Sequence, residues 1–256
     1  MSEQMHLACK EGDIGGYVLL PGDPGRCETI AALLDHPQKI AQNREFVTYT
    51  GSLCGEQVSV CSTGIGGPST AIAVEELHAL GAHTLLRIGT CGGIQPCVQA
   101  GDLILASAAV RQDGTSAEYA PREFPAVADF TVLRMLADTA RDKGYRHHIG
   151  VIQSKDSFYG QHAPSSMPTA SALLEKWEAW KRLGVLASEM ECATLFTVAA
   201  VRHLRVGAIL ETLWNQELAA PGEQKARQQH KDLSPLLSTA VESIRRLIAY
   251  DRASAC

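Results

Sequence analysis

The sequence predicts an α/β fold, a mixed or parallel sheet covered by helices on both faces. Strand-like apolar runs alternate with helix-like segments along the whole length, with no linker, low-complexity tract or internal repeat. Three of these runs end in glycine-rich turns, the place where α/β sheets hold ligands. The 256 residues, 45% hydrophobic, are enough for one large core, so residues 1–256 read as a single domain.

Residues 1–15 are a polar arm carrying His6, and the first strand is Tyr17–Leu20. Pro21 to Gly25 turns the chain, and Arg26–Leu34 has Ile30, Leu33 and Leu34 on one helical face. Phe46–Leu53 alternates as a strand, Cys54-Gly55-Glu56 is a hairpin turn, and Gln57–Cys61 returns. Pro68 suits a first helical turn, and the helix Thr70–Leu80 stops at Gly81. Thr84–Ile88 and Asp102–Ala109 are core strands, and Phe130–Lys143 is an amphipathic helix ended by Gly144. Ile149–Ser154 is a strand, and Ser171–Arg182 a helix with Leu173, Leu174, Trp177 and Trp180 at helical spacing. Ala193–His203 is an apolar helix, Val206–Trp214 a buried strand, and Leu236–Tyr250 a terminal helix with Val241, Ile244, Leu247 and Ile248 inward.

The stretch from Arg87 to Gly93 closes an apolar run with an arginine and then enters glycine-rich backbone, which reads as a buried strand stopping at a loop. A fixed charge at such an edge calls for an anion, and a guanidinium offers paired donors that fit phosphate or carboxylate. Arg26 stands in the same relation to the first strand, and Gly64-Ile-Gly-Gly67 follows the returning strand. The three turns are expected to aim backbone N–H groups and both arginines at one spot. For each arginine alone, an internal ion pair with Asp or Glu is the competing reading. The glycine cluster is not a dinucleotide fingerprint, since Ser69 replaces the last glycine and Thr84 stands where an acid is needed. It serves either close backbone approach or a tight strand-to-helix turn.

Glu189 and Glu191 open an apolar helix, where acids often only complement the helix dipole. Being two apart they are expected on different sides, one entering a cleft to accept hydrogen bonds from sugar hydroxyls. Ser157 to His162 reads as a loop in which Phe158 stacks on a flat ring and the Gln161 amide meets a base edge, or as a plain aromatic plug.

A net charge of −5 without a Lys/Arg run argues against a nucleic-acid partner, and no apolar stretch is long enough for a membrane span. No signal-peptide pattern opens the chain, so the cysteines at 9, 27, 54, 61, 91, 97, 192 and 256 read as free thiols of a cytoplasmic protein. Cys91 has no marked histidine partner and reads as a small buried filler.

Together these residues resemble the nucleoside phosphorylases, most closely the uridine phosphorylases. The resemblance rests on His6-Leu7, Pro21 to Arg26, Arg44-Glu45-Phe46, Cys61 to Ser69, Arg87 to Thr90, Glu123 to Asp129, Phe158-Tyr159, Gln161 and Glu189 to Glu191. It implies a mixed sheet with a distorted barrel and flanking helices, a hexamer built from dimers, and reversible phosphorolysis of uridine to uracil and ribose 1-phosphate. Phosphate would be a co-substrate and no organic cofactor would be needed. The resemblance further assigns phosphate to Gly22, Arg26, Arg87 and Thr90, with Arg44 supplied by the neighbouring subunit. It assigns ribose to Met190, Glu191 and a neighbour's His6, and the base to Phe158 and Gln161. Glu45, Ile65 and Ser69 match positions that in some relatives hold a monovalent cation such as K+ at the dimer interface.

Two departures bear on the base. Ala163 stands two residues after the pocket glutamine, where the better-known uridine phosphorylases have an arginine, and His162 is expected to take over its contact. Trp214-Asn215-Gln216 stands where those enzymes have Asn-Arg. Purine phosphorylases of this fold carry an aspartate there; Asn215 and Gln216 offer no acid, although Glu217 is close. Competing readings are a purine nucleoside phosphorylase, a water-using nucleosidase of the same fold, and a nucleoside-binding protein without turnover.

Overall fold

The structure is a computed structural model and describes residues 3–218 and 232–254. In chain order the elements are β1 (Tyr17–Pro21), α1 (Cys27–Ala31), β2 (Asp35–Asn43), β3 (Phe46–Leu53), β4 (Glu56–Cys61), α2 (Gly67–Ala79), β5 (Thr84–Gly93), β6 (Leu103–Gln112), α3 (Thr115–Tyr119) and β7 (Ala126–Val127). They continue with α4 (Phe130–Asp142), β8 (His147–Lys155), α5 (Phe158–His162), α6 (Ala170–Arg182), β9 (Ala187–Glu189), α7 (Cys192–Val201), β10 (Arg205–Asn215) and α8 (Ser234–Ser254).

The strands run β10-β6-β8-β9-β5-β1-β4-β3-β2, and β10 also pairs with β5. That extra pairing closes β5, β10, β6, β8 and β9 into a mixed barrel, while β1, β4, β3 and β2 extend as an open wing. β5 lies between β1 and β10, parallel to both, and so forms the seam between wing and barrel.

Helices cover both faces, as the alternation of strand and helix patterns predicts. Leu85 packs in one core layer with Val74 and Leu77 of α2 and Phe196 of α7. Leu86 and Ile88 belong to the other, with Leu136 of α4 and Ile244 and Leu247 of α8. Side chains alternate along a strand, so Arg87 projects to the Leu85 side, beneath α7. Leu86 is fully buried, and cutting such a side chain back to alanine costs about 2–5 kcal/mol.

Local chemistry sets several boundaries. The Asp129 side chain accepts from Val132 N–H at 2.9 Å and starts α4. After β1 the chain makes a 3-10 turn at Pro24–Arg26 before α1, which ends at Ala31, short of the expected Leu34. Two expectations need correction. The run from Arg87 does not stop at a loop: β5 continues to Gly93, pairing with Trp214 and Asn215 of β10 and with Ala187 and Ser188 of β9. Glycine backbone there coils sharply and closes the barrel, helped by a register shift in β10 between Thr212 and Trp214. Ser157 to His162 is not a loop but a helical turn, because the Ser157 hydroxyl accepts from Gly160 N–H at 3.0 Å. The edge strand β2 has no alternating apolar pattern, is mostly exposed and contains Pro37, so periodicity passes over it.

Among the described residues no helix is long and apolar enough to cross a membrane, and Cys9, Cys27, Cys54, Cys61, Cys91, Cys97 and Cys192 are free thiols. Cys256 lies outside the described residues.

Candidate active site

A cavity of about 700 Å³ opens where the ends of β1, β5, β9 and β10 meet. Gly22, Arg26, Glu45, Ile65, Arg87, Thr90, Phe158, Gln161, His162, Met190 and Glu191 all line it. Of the residues singled out from sequence, His6, Arg44 and Ser69 do not. Ser69 sits just behind the wall and donates to Glu45 Oε1 at 2.7 Å. Arg44 occupies the exposed turn between β2 and β3 with φ of 52°. His6 is tied to Glu76, its Nδ1 lying 2.7 Å from Oε1.

Arg87 forms the floor and is 4% exposed. Its Nε donates to Glu189 at 3.1 Å, and its Nη2 donates to Glu191. The ion-pair reading of this arginine holds and leaves one donor over: two carboxylates grip two edges, and Nη1 is buried without a hydrogen-bond partner. A Cβ placed on Gly22 would lie 3.7 Å from that nitrogen, so the free donor faces the first turn. Gly89 makes this possible, because a Cβ there would meet Arg87 Nη2 at 2.9 Å. Burial works against the Arg87 charge, yet Glu191 and Glu189 more than offset it and the pKa is raised.

The expectation that Glu189 and Glu191 point to different sides fails. Glu189 ends β9 and Glu191 precedes α7, and both are buried against Arg87. Glu189 also accepts from Ser154 Oγ and from the N–H groups of Glu191 (2.8 Å) and Cys192 (3.0 Å), which folds the segment back on itself. Burial opposes its charge, but Arg87 and these donors hold its pKa below the usual range. Glu191 is raised, chiefly by burial and by the Glu189 charge, despite Arg87. Glu191 Oε1 accepts from Gly66 N–H at 2.7 Å, a contact presented by backbone at φ of 87°. Glu189 is thus the arginine's anchor, and both carboxylates border the cavity.

Arg26 adds a second cation. Burial lowers its pKa, opposed by Asp23 and reinforced by Arg87. The repulsion between two guanidiniums is relieved by an anion between them. At the far end, His162 packs between Phe158 (centroids 4.2 Å apart) and Trp214 (5.0 Å) with its ring tilted to both, giving an aromatic wall.

Sequence reasoning passes over Lys155. It ends β8, lines the cavity, and burial draws its pKa down to about 8 against the pull of Glu189 and Glu191. A charge at the close of a buried strand, the signal that marks Arg87, is present here as well. Ser188, which receives the Lys155 ammonium at 2.6 Å, has no such signal. Cys91 is no nucleophile, since burial pushes its thiol up to about 12. Asn215 is structural: its amide donates to Gln95 O and Val98 O, both at 2.8 Å. Glu217 is taken up by Trp177 and Lys181, each at 2.8 Å.

Two cations at one end of a cleft, a carboxylate in the middle and an aromatic wall at the other suit an anion, a polyol and a ring in that order. The family profile described as the phosphorylase superfamily matches residues 17–245. A uridine phosphorylase of Treponema pallidum is 52% identical over 97% of this chain and 95% of that protein. That of Escherichia coli is 44% identical over 96% and 99%. A guanosine phosphorylase of Halorubrum lacusprofundi is 39% identical over 96% and 97%. With the profile covering the wing, the barrel and the cavity between them, the chain belongs to the phosphorylase superfamily.

Proposed function

We propose that the protein cleaves uridine with inorganic phosphate, giving uracil and ribose 1-phosphate. The observation that carries this reading is Arg87 Nη1, a buried donor without a protein partner, held open toward Gly22 and Arg26 by two carboxylates. Phosphate sits on Gly22, Arg26, Arg87 and Thr90. Glu191 and Met190 take the ribose, and Phe158, Gln161 and His162 take the base.

A phosphate oxygen forms the bond to the anomeric carbon as the carbon–nitrogen bond breaks, its electron pair leaving with the pyrimidine. No protein nucleophile is required, so positioning and electrostatics carry the rate. Glu191 accepts from the ribose hydroxyls, a contact that tightens as the ring gains oxocarbenium character. Lys155 and His162 border the space of the departing base, where a cation offsets its negative charge. The pyrimidine relatives support uridine as substrate. So does the absence of an available acid at Asn215, Gln216 and the engaged Glu217, which a purine ring nitrogen would need.

His6 and Arg44 belong to the same reading as residues given to a neighbouring subunit in a hexamer of dimers. Asn43 Nδ2 donates to His6 O at 2.9 Å, so both sit on one patch, and neither lines the cavity of its own chain. Glu45 and Ser69, beside Ile65, supply the hard oxygen donors a monovalent cation takes. The free thiols among the described residues support a cytoplasmic setting for this activity.

The test is ultraviolet detection of uracil from uridine with and without phosphate, beside inosine, guanosine and methylthioadenosine. Release only with phosphate and only from uridine is expected. Cleavage without phosphate would indicate a nucleosidase, and preferential cleavage of guanosine or inosine would overturn the pyrimidine assignment.

A further inference from the structure

Behind the base end of the cavity lies a line of polar side chains that starts at Trp180 on α6. The Trp180 indole donates to Gln112 Oε1 at 3.1 Å, and the same oxygen receives Gln153 Nε2 at 2.8 Å. Gln153 Oε1 then faces the Ser188 hydroxyl, which also lies 2.6 Å from Lys155 Nζ and 2.7 Å from Gln161 Oε1. Gln153, Ser188 and Lys155 are buried.

The donor and acceptor inventory allows one assignment along this line. An indole N–H only donates, so Gln112 turns its oxygen to Trp180. That oxygen accepts from Gln153, which commits the Gln153 nitrogen and leaves its oxygen toward Ser188. Ser188 has a single proton, and Gln153 takes it. Lys155 donates to the Ser188 oxygen whether or not it is charged. Gln161 Oε1 stands 2.7 Å from this same hydroxyl, whose proton is already used, so two oxygens would face each other without a proton; the amide turned over, nitrogen to Ser188, satisfies the contact. In that turned-over orientation the Gln161 carbonyl oxygen is left for the cavity, which Gln161 lines.

We propose that Trp180, acting through Gln112, Gln153 and Ser188, fixes the Gln161 amide so that its oxygen faces the base, and thereby selects a pyrimidine that donates at N3. The inference rests on the pyrimidine reading of the site. Uracil carries a proton at N3 and meets that oxygen. Cytosine carries a lone pair at N3 and is repelled, and a site built around a fixed hydrogen bond rejects the mismatched analogue strongly. Trp180, Gln112 and Gln153 are positioning residues here, since they act on the base through Gln161.

The experiment compares wild type, Trp180→Phe and Gln112→Glu. Each is measured for phosphorolysis of uridine and cytidine, for calorimetric binding of uracil and cytosine, and for melting temperature. Trp180→Phe removes the donor that sets the direction while keeping an aromatic ring. It should raise KM for uridine more than it lowers kcat, and narrow the preference for uracil over cytosine by about tenfold. Gln112→Glu presents acceptors only, preserves the direction, and should keep the wild-type preference. A Trp180→Phe protein that melts lower with the preference unchanged would show a merely structural tryptophan and overturn the proposal. A wild type that binds neither base would instead overturn the pyrimidine reading, and the selection with it.

Discussion

Glu189 holds Arg87 by its Nε at 3.1 Å from a fully buried position, and this contact turns the Nη1 edge of the guanidinium toward Gly22. Glu191 grips the neighbouring Nη2, so neither carboxylate reaches the one nitrogen that faces Gly22. An ion pair that looks structural is in this way the device that aims a donor.

Arg87→Ala should lower the rate of phosphorolysis by about 10²-fold or more, the scale for removing a transition-state donor. Steady-state kinetics at saturating uridine and varied phosphate measures it. Unchanged turnover would remove Arg87 from the phosphate site.

Glu189→Ala leaves a buried guanidinium half paired and should cost about 3–5 kcal/mol of stability. Urea unfolding reads the loss. Replacing all three members, as in Arg87→Met with Glu189→Leu and Glu191→Met, should recover part of that stability while activity stays absent; a triple variant as unstable as the sum of the singles would contradict this account.

Lys155 has its pKa drawn down to about 8 by burial. Below that pH it is a cation beside the leaving base, and above it the charge is lost, so kcat/KM for uridine should fall as pH rises through about 8. Lys155→Met should abolish that limb and cost about 10²-fold at about pH 7. A profile flat to pH 9.5 or so in the wild type would exclude a role for the charge.

Glu211 is buried on β10 and its carboxyl is pushed up to about 7, mainly by burial and also by Asp232. A folded pKa raised above the unfolded value means stability is complete at low pH and is lost as pH rises from about 4.3 through 7. Glu211→Gln removes the ionisation and should stabilise the protein by at least about 1 kcal/mol near pH 8, since a tenfold change in an ionisation equilibrium is worth about 1.4 kcal/mol. Equal melting temperatures of variant and wild type at that pH would argue that the carboxyl is neutralised some other way.

Arg44→Ala and Arg87→Ala should each be nearly inactive alone, yet mixing them after mild dissociation should restore activity. A shared site recombines an intact Arg44 from one subunit with an intact Arg87 from another. Activity that never exceeds the parents would place Arg44 outside the catalytic assembly.

The α/β class is legible in the sequence because the periods of strand and helix survive in any packing, as at Leu85 and Leu86 on opposite faces of β5. So is the chemistry at the strand ends, where Arg26 and Arg87 follow apolar runs and lie beside glycine. That β5 runs on to Gly93 and closes a barrel is not legible there, since it depends on β9 and β10 arriving beside it. Nor is it legible that Glu189 and Glu191 share one arginine, 102 and 104 residues away in the chain, or that Lys155 enters the cavity. Periodicity records which face a side chain takes within its own element, whereas a site is made by which distant elements meet, and that is settled only when the whole core is packed.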